Sequence, residues 1–174
     1  EDDMVEVKRI YLIDINKDVA EKAAKGLNKA IVVNSVEEEL YHCDLVIEAA
    51  SQDAAKDILS KAVGRGVDIM LMSVGALVDD DFRALMFERA KNNGSRIFIP
   101  SGAVCGTDGL RAAANDELDS VELISTKGPN SLVKVKYIED KGIDVHALKE
   151  KTVMFSGPAR EAVQLFPKNV NVAA

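Results

Sequence analysis

The chain has 174 residues, 47% of them hydrophobic and 29% charged, a globular composition rather than a disordered one. At this length folding buries about 70% of the unfolded surface, enough for a core without disulfide staples. With 22 lysines and arginines against 29 aspartates and glutamates the net charge is −7, which argues against nucleic acid as a partner, because that partner selects a basic face.

In chain order, short apolar runs alternate with longer stretches of helical period. Val7–Asp14 (VKRIYLID), Ala30–Val33, Asp44–Ala49 (DLVIEA), Val67–Ser73 (VDIMLMS) and Arg96–Pro100 read as strands. Val19–Leu27, Gln52–Val63 and Asp79–Asn92 read as helices. Asp79, Asp80 and Asp81 put negative charge at the start of the third helix, where its dipole favours it. Gly94 supplies its stop. Strands that are apolar almost throughout are expected to be buried on both faces, as in a parallel sheet covered by helices. The fold class is therefore α/β: a Rossmann-type, doubly wound parallel sheet, incomplete at its N-terminus.

Beyond Pro100 the rhythm changes. Ser101–Gly109 is a glycine-rich loop and Leu110–Leu118 a helical stretch. Ser120–Thr126 (SVELIST) alternates like a half-exposed strand, and Lys127–Asn130 reads as a turn. Leu132–Gly142 is charged and poorly periodic. Lys151–Phe155 is a further candidate strand, and Pro158–Phe166 a helix with proline at its first position. Residues 1–119 are thus expected to form a dinucleotide-binding domain, and 120–174 the beginning of an α+β domain.

Asp14 is the first chemically informative residue. In a dinucleotide-binding unit the second strand ends in an acid that hydrogen-bonds the adenosine ribose, about 20 residues after a glycine fingerprint. Counting back from Asp14 places that fingerprint before residue 1. No G-x-G-x-x-G occurs in the chain: Gly64–Arg65–Gly66 is followed by Ile69 where a third glycine belongs. The alternative is that Asp14 merely caps the following helix. Small residues then follow three successive strands: Glu48–Ala49–Ala50–Ser51, Ser73–Val74–Gly75–Ala76 and Ser101–Gly102–Ala103. They let a flat ring and its ribose approach the backbone. Ala50, Ser73 and Gly75 are the candidate cofactor contacts from these loops, although glycine and serine also punctuate ordinary βα turns.

The segments EAAS (Glu48–Ser51), SVGAL (Ser73–Leu77), SGAVCGTDGL (Ser101–Leu110) and FPKNVNVAA (Phe166–Ala174) resemble the L-aspartate dehydrogenase family over nearly the whole chain. The resemblance implies a homodimeric, cytoplasmic NAD(P)-dependent enzyme. Such an enzyme oxidises L-aspartate to iminoaspartate, which hydrolyses to oxaloacetate and ammonia or feeds NAD biosynthesis. It assigns Ala103 and Asn169 to cofactor binding and Asp14 to the ribose. It also implies that the first strand and glycine loop precede residue 1 and that the catalytic histidine follows Ala174. A chain of this extent is then expected to be inactive.

The two histidines match no catalytic position: His42 reads as a surface or packing residue and His146 as solvated. Neither lies at metal-ligand spacing with Cys43 or Cys105, so no metal is expected. The cysteines form no CxxC and no disulfide framework. No apolar run is long enough to cross a bilayer and no signal-peptide pattern opens the chain, so a cytoplasmic protein without a membrane partner is expected. Lys127 and Lys168 are candidates for the carboxylates of a substrate. NAD is the expected cofactor, since Asp14 repels a 2′-phosphate, with NADP tolerated through Lys17. Two alternatives stand beside this reading. One is a semialdehyde-type dehydrogenase using Cys105, a thiol in a glycine-rich loop before a helix. The other is a dinucleotide-binding module without catalysis.

Overall fold

Five short strands organise the first hundred residues: β1 (Ile10–Leu12), β2 (Ala30–Val32), β3 (Leu45–Glu48), β4 (Asp68–Leu71) and β5 (Ile97–Phe98). They belong to a computed structural model that describes residues 6–102, 104 and 106–167. Each lies inside a run that reads as a strand, trimmed at both ends except for β2, which starts where its run does. Three helices alternate with them where the apolar period changes: α1 (Lys17–Ala24), α3 (Gln52–Gly64) and α4 (Asp80–Asn93). A short helix, α2 (Val36–Glu39), continues into a 3₁₀ turn over Leu40–His42. The sequence reading missed both, because so few residues carry no period.

Every strand pairing is parallel, as strands joined through helices require. Ile10 lies opposite Ala30 in one pair, Leu45 opposite Asp68 in the next and Ile69 opposite Ile97 in the third. The strands divide into two sheets, β1-β2 and β3-β4-β5, so β1 and β3 each keep an unpaired edge. The expectation that all strands are buried on both faces is corrected here. β4 has two of its four residues fully buried and the others partly so, whereas Leu45 and Ile47 of β3 are exposed, Ile47 by 62%. Among the described residues no element covers that face of β3. The core lies elsewhere: α3 contributes Ala55, Leu59, Ala62 and Val63, β4 contributes Ile69 and Leu71, and α4 contributes Met86 and Ala90.

Local sequence fixes the ends of these helices. Ser51 Oγ accepts from the Ala54 N–H (3.3 Å) at the start of α3, and Asp79 Oδ1 accepts from the Phe82 N–H (3.0 Å) at the start of α4. Gly94 ends α4 with φ +73°, the left-handed conformation that favours glycine at this position.

The second region holds α5 (Thr107–Ala113), a 3₁₀ turn at Pro129–Ser131, α6 (Lys136–Asp140) and α7 (Ala159–Leu165). Leu132, Val135, Ile138, Val145 and Phe166 form its small apolar cluster, with the Tyr137 and Phe166 rings 5.3 Å apart between centroids. Five expectations are corrected. The helix expected to reach Leu118 ends at Ala113. Ser120–Thr126 and Lys151–Phe155 are not strands, since a strand needs a neighbour for its backbone groups and none lies beside them among the described residues. Leu132–Gly142 contains α6, and Pro158 precedes α7 as its cap instead of opening it.

Candidate functional site

In a parallel sheet the loops that follow the strands emerge at one edge. The loops after β3, β4 and β5, beginning at Ala49, Met72 and Ile99, therefore share the carboxyl edge of the three-stranded sheet. The first two are tied together by Glu48, the last residue of β3. Its Oε1 accepts from the Ala50 N–H (2.7 Å) and the Ser73 hydroxyl (2.9 Å), and its Oε2 from the Ser73 N–H (2.9 Å). Ser73 is buried and its hydroxyl is turned to Glu48, so this position offers a ligand shape and backbone rather than an O–H. Ala50 is exposed beside it.

The next contact comes from far along the chain. Gln52, the first residue of α3, donates through Nε2 to the Pro167 carbonyl (3.0 Å). Its side chain lies over Gly75, in the 3₁₀ turn Val74–Val78 that follows β4. A Cβ at Gly75 would meet the Gln52 amide and would stand 2.9 Å from Val163 Cγ1 of α7. A methyl enters only if the Gln52 amide moves aside and Val163 gives way. Arg160 of α7 donates to the Val78 carbonyl (2.8 Å) and to Asp80 (2.9 Å). Hydrogen bonding to Arg160 first, and then to Arg83, holds the Asp80 carboxyl below its ordinary range. Beside these contacts is an open groove of about 360 Å³, lined in part by Gln52, Lys56, Gly75, Asp79, Arg160 and Gln164.

Asp14 lies exposed two residues beyond β1, at the carboxyl edge of the other sheet. Its Oδ1 accepts from the Asn16 N–H (2.8 Å), while Asn16 caps α1 by accepting from the Asp18 N–H (3.1 Å). The helix cap is thus Asn16 rather than Asp14, and Asp14 Oδ2 has no partner among the described residues. The residues that sequence reasoning groups together are therefore distributed as follows. Ala50, Ser73 and Gly75 meet at the tips of β3 and β4, and Asp14 stands at the tip of β1. Ala103, Cys105, Lys168 and Asn169 lie outside the described residues. Lys127 is exposed ahead of the 3₁₀ turn at Pro129, and His42 and His146 are exposed. Burial, followed by the Glu39 and Asp44 charges, pushes the Cys43 thiol up.

This arrangement fits a dinucleotide: a free carboxylate oxygen for a ribose diol beyond one strand, and small residues with close backbone beyond two others. Gln52 and Glu48 are the residues that sequence reasoning did not assign to the site. The signal for Glu48 was present, an acid ending an otherwise apolar strand.

Residues 2–100 match the family described as homoserine dehydrogenase, NAD binding domain, and residues 108–174 the family described as aspartate dehydrogenase, C-terminal. The chain belongs to the aspartate dehydrogenase family. It is 45% identical to the L-aspartate dehydrogenase of Methanosarcina acetivorans over 139 residues, 80% of this chain and 51% of that protein. It is 40% identical to the L-aspartate dehydrogenase of Methanothermobacter thermautotrophicus over 173 residues, 99% of this chain and 62% of that protein. The crystal structure of aspartate dehydrogenase from Thermotoga maritima superposes with a TM-score of 0.65 at 27% identity, over 97% of this chain and 63% of that one. The chain thus spans about half to three-fifths of the length of these aspartate dehydrogenases. The Rossmann-like α/β fold with parallel sheets is shared with them.

Proposed function

We propose that this chain forms the dinucleotide-binding part, residues 1–119, and the start of the α+β part, residues 120–174, of a cytoplasmic, homodimeric enzyme that oxidises L-aspartate with NAD. The carrying observation is the convergence of the Glu48–Gln52, Ser73–Leu77 and Phe166–Pro167 segments at one sheet edge, through Glu48–Ser73 and Gln52–Pro167. Asp14 would hold the adenosine ribose of a dinucleotide, and the Ala50, Ser73 and Gly75 loops would hold its other half. When bound, the dinucleotide would supply the acceptor for the hydride that leaves the Cα of aspartate. As the hydride leaves, the neutral amine gives up one proton and its nitrogen lone pair closes the C=NH bond of iminoaspartate, which one water hydrolyses to oxaloacetate and ammonia or which passes to NAD biosynthesis. This chain's own residues bind and align; the general base for the amine proton and the later water is a histidine supplied beyond Ala174.

The test is NADH formation by the complete gene product, screened over small amino acids. Turnover dependent on L-aspartate is expected, and its absence overturns the proposal. Asp14→Ala sharpens the cofactor assignment. Removing a carboxylate that binds the diol of NAD and repels a 2′-phosphate is expected to move the NAD to NADP preference about tenfold toward NADP. An unchanged ratio overturns the role of Asp14.

A further inference from the structure

Glu48 is 2% exposed, and a carboxylate at that depth ordinarily has a cation beside it. None of the ion pairs among the described residues includes it. Its surroundings are instead three donors: the Ala50 N–H, the Ser73 N–H and the Ser73 hydroxyl. All three hydrogen bonds run to the carboxylate oxygens, two of them from backbone N–H groups that can only donate, the pattern that suits an ionised carboxylate. These neutral dipoles offset the loss of hydration but do not cancel the charge. A net negative charge therefore sits beneath the tips of β3 and β4.

A doubly wound sheet has two mononucleotide-binding halves. Asp14 follows β1 in one of them, so β3–β5 belong to the half that takes the nicotinamide nucleotide. We propose that Glu48 is a positioning residue of that subsite with two effects. It clasps the Ala50 and Ser73 loops in one geometry, and its unneutralised charge favours the cationic, oxidised nicotinamide over the neutral, reduced ring. The inference rests on the dinucleotide dehydrogenase reading above. Its basis is that water screens a buried charge poorly, so the field reaches the loop surface. The two effects are separable: lost geometry weakens both redox forms alike, whereas lost charge weakens the oxidised form more.

The experiment measures dissociation constants of NAD⁺ and NADH by calorimetry on the full-length protein, wild type and variants. If the wild type binds neither, the dinucleotide reading itself fails. If it binds both, Glu48→Gln is expected to weaken NAD⁺ about fivefold or more beyond any weakening of NADH. Equal weakening of the two forms, or unchanged binding, overturns the proposal. Glu48→Asp keeps the charge but shortens the reach to the two loops, and decides the matter if Glu48→Gln does not fold. Equal weakening of both dinucleotides is expected of it. Unchanged binding, or a loss confined to NAD⁺ while the charge remains, overturns the proposal.

Discussion

The two regions of the chain bury their apolar residues in different ways. In the first, Ala55, Leu59, Ala62, Val63, Ile69 and Leu71 have no exposed surface at all, because α3 and α4 close over β4. In the second, a handful of side chains gather around Ile138 and Phe166, while Ile124 and Val153 are each 80% exposed. A sheet gives helices a continuous surface to cover; short helices without one leave most of their neighbours in water. The first region therefore supports its own core, and the second leans on the first through α7.

The largest expected effect follows from this difference. Leu59→Ala removes a fully enclosed side chain where α3, β4 and α4 meet, and should cost about 3–5 kcal/mol of stability. Ile138→Ala, in the smaller cluster that can collapse around the gap, should cost about 2 kcal/mol. Denaturant unfolding followed by helical signal checks both. Equal losses would mean that the two regions share one core.

The same difference decides how much was legible in the sequence. Gly94 and the VDIMLMS run dictate a stop and a buried strand by local rules alone, and both stand where those rules put them, whereas Asp79, read as the first residue of the helix, is its cap. SVELIST alternates as a strand does, yet it is not one, because alternation states which face is apolar and not whether a partner strand is present. The separate β1-β2 and β3-β4-β5 sheets escaped for the same reason, since pairing depends on residues distant in the chain. At the site, the small residues after β3 and β4 were legible as loops. The Gln52–Pro167 bond, across 115 residues, was not.

Gly75→Ala tests how α7 joins the regions. The added methyl must displace the Gln52 amide and press on Val163, which stands 2.9 Å from the Cβ position. The cost should be about 1–3 kcal/mol, borne by α7. Amide exchange should quicken over Ala159–Leu165 and stay slow in α4. Uniform quickening in both helices would place the strain within the first core instead.

The smallest expected effect concerns the ionic part of the same junction, Arg160 to Asp80. Both side chains are more than half exposed, so water screens the pair and its contribution is modest. Its pH dependence has a definite sign. The folded protein holds the Asp80 carboxyl below its ordinary range, through Arg160 first and Arg83 second. The stabilisation is therefore fully present above the unfolded carboxyl's value of about 3.9 and is lost as pH falls through the lower, folded value. Asp80→Asn should thus leave a melting temperature slightly below wild type at neutral pH, and the two curves should converge below about pH 4. A gap that persists unchanged in acid would assign the effect to the Val78 carbonyl bond of Arg160, which needs no charge on Asp80.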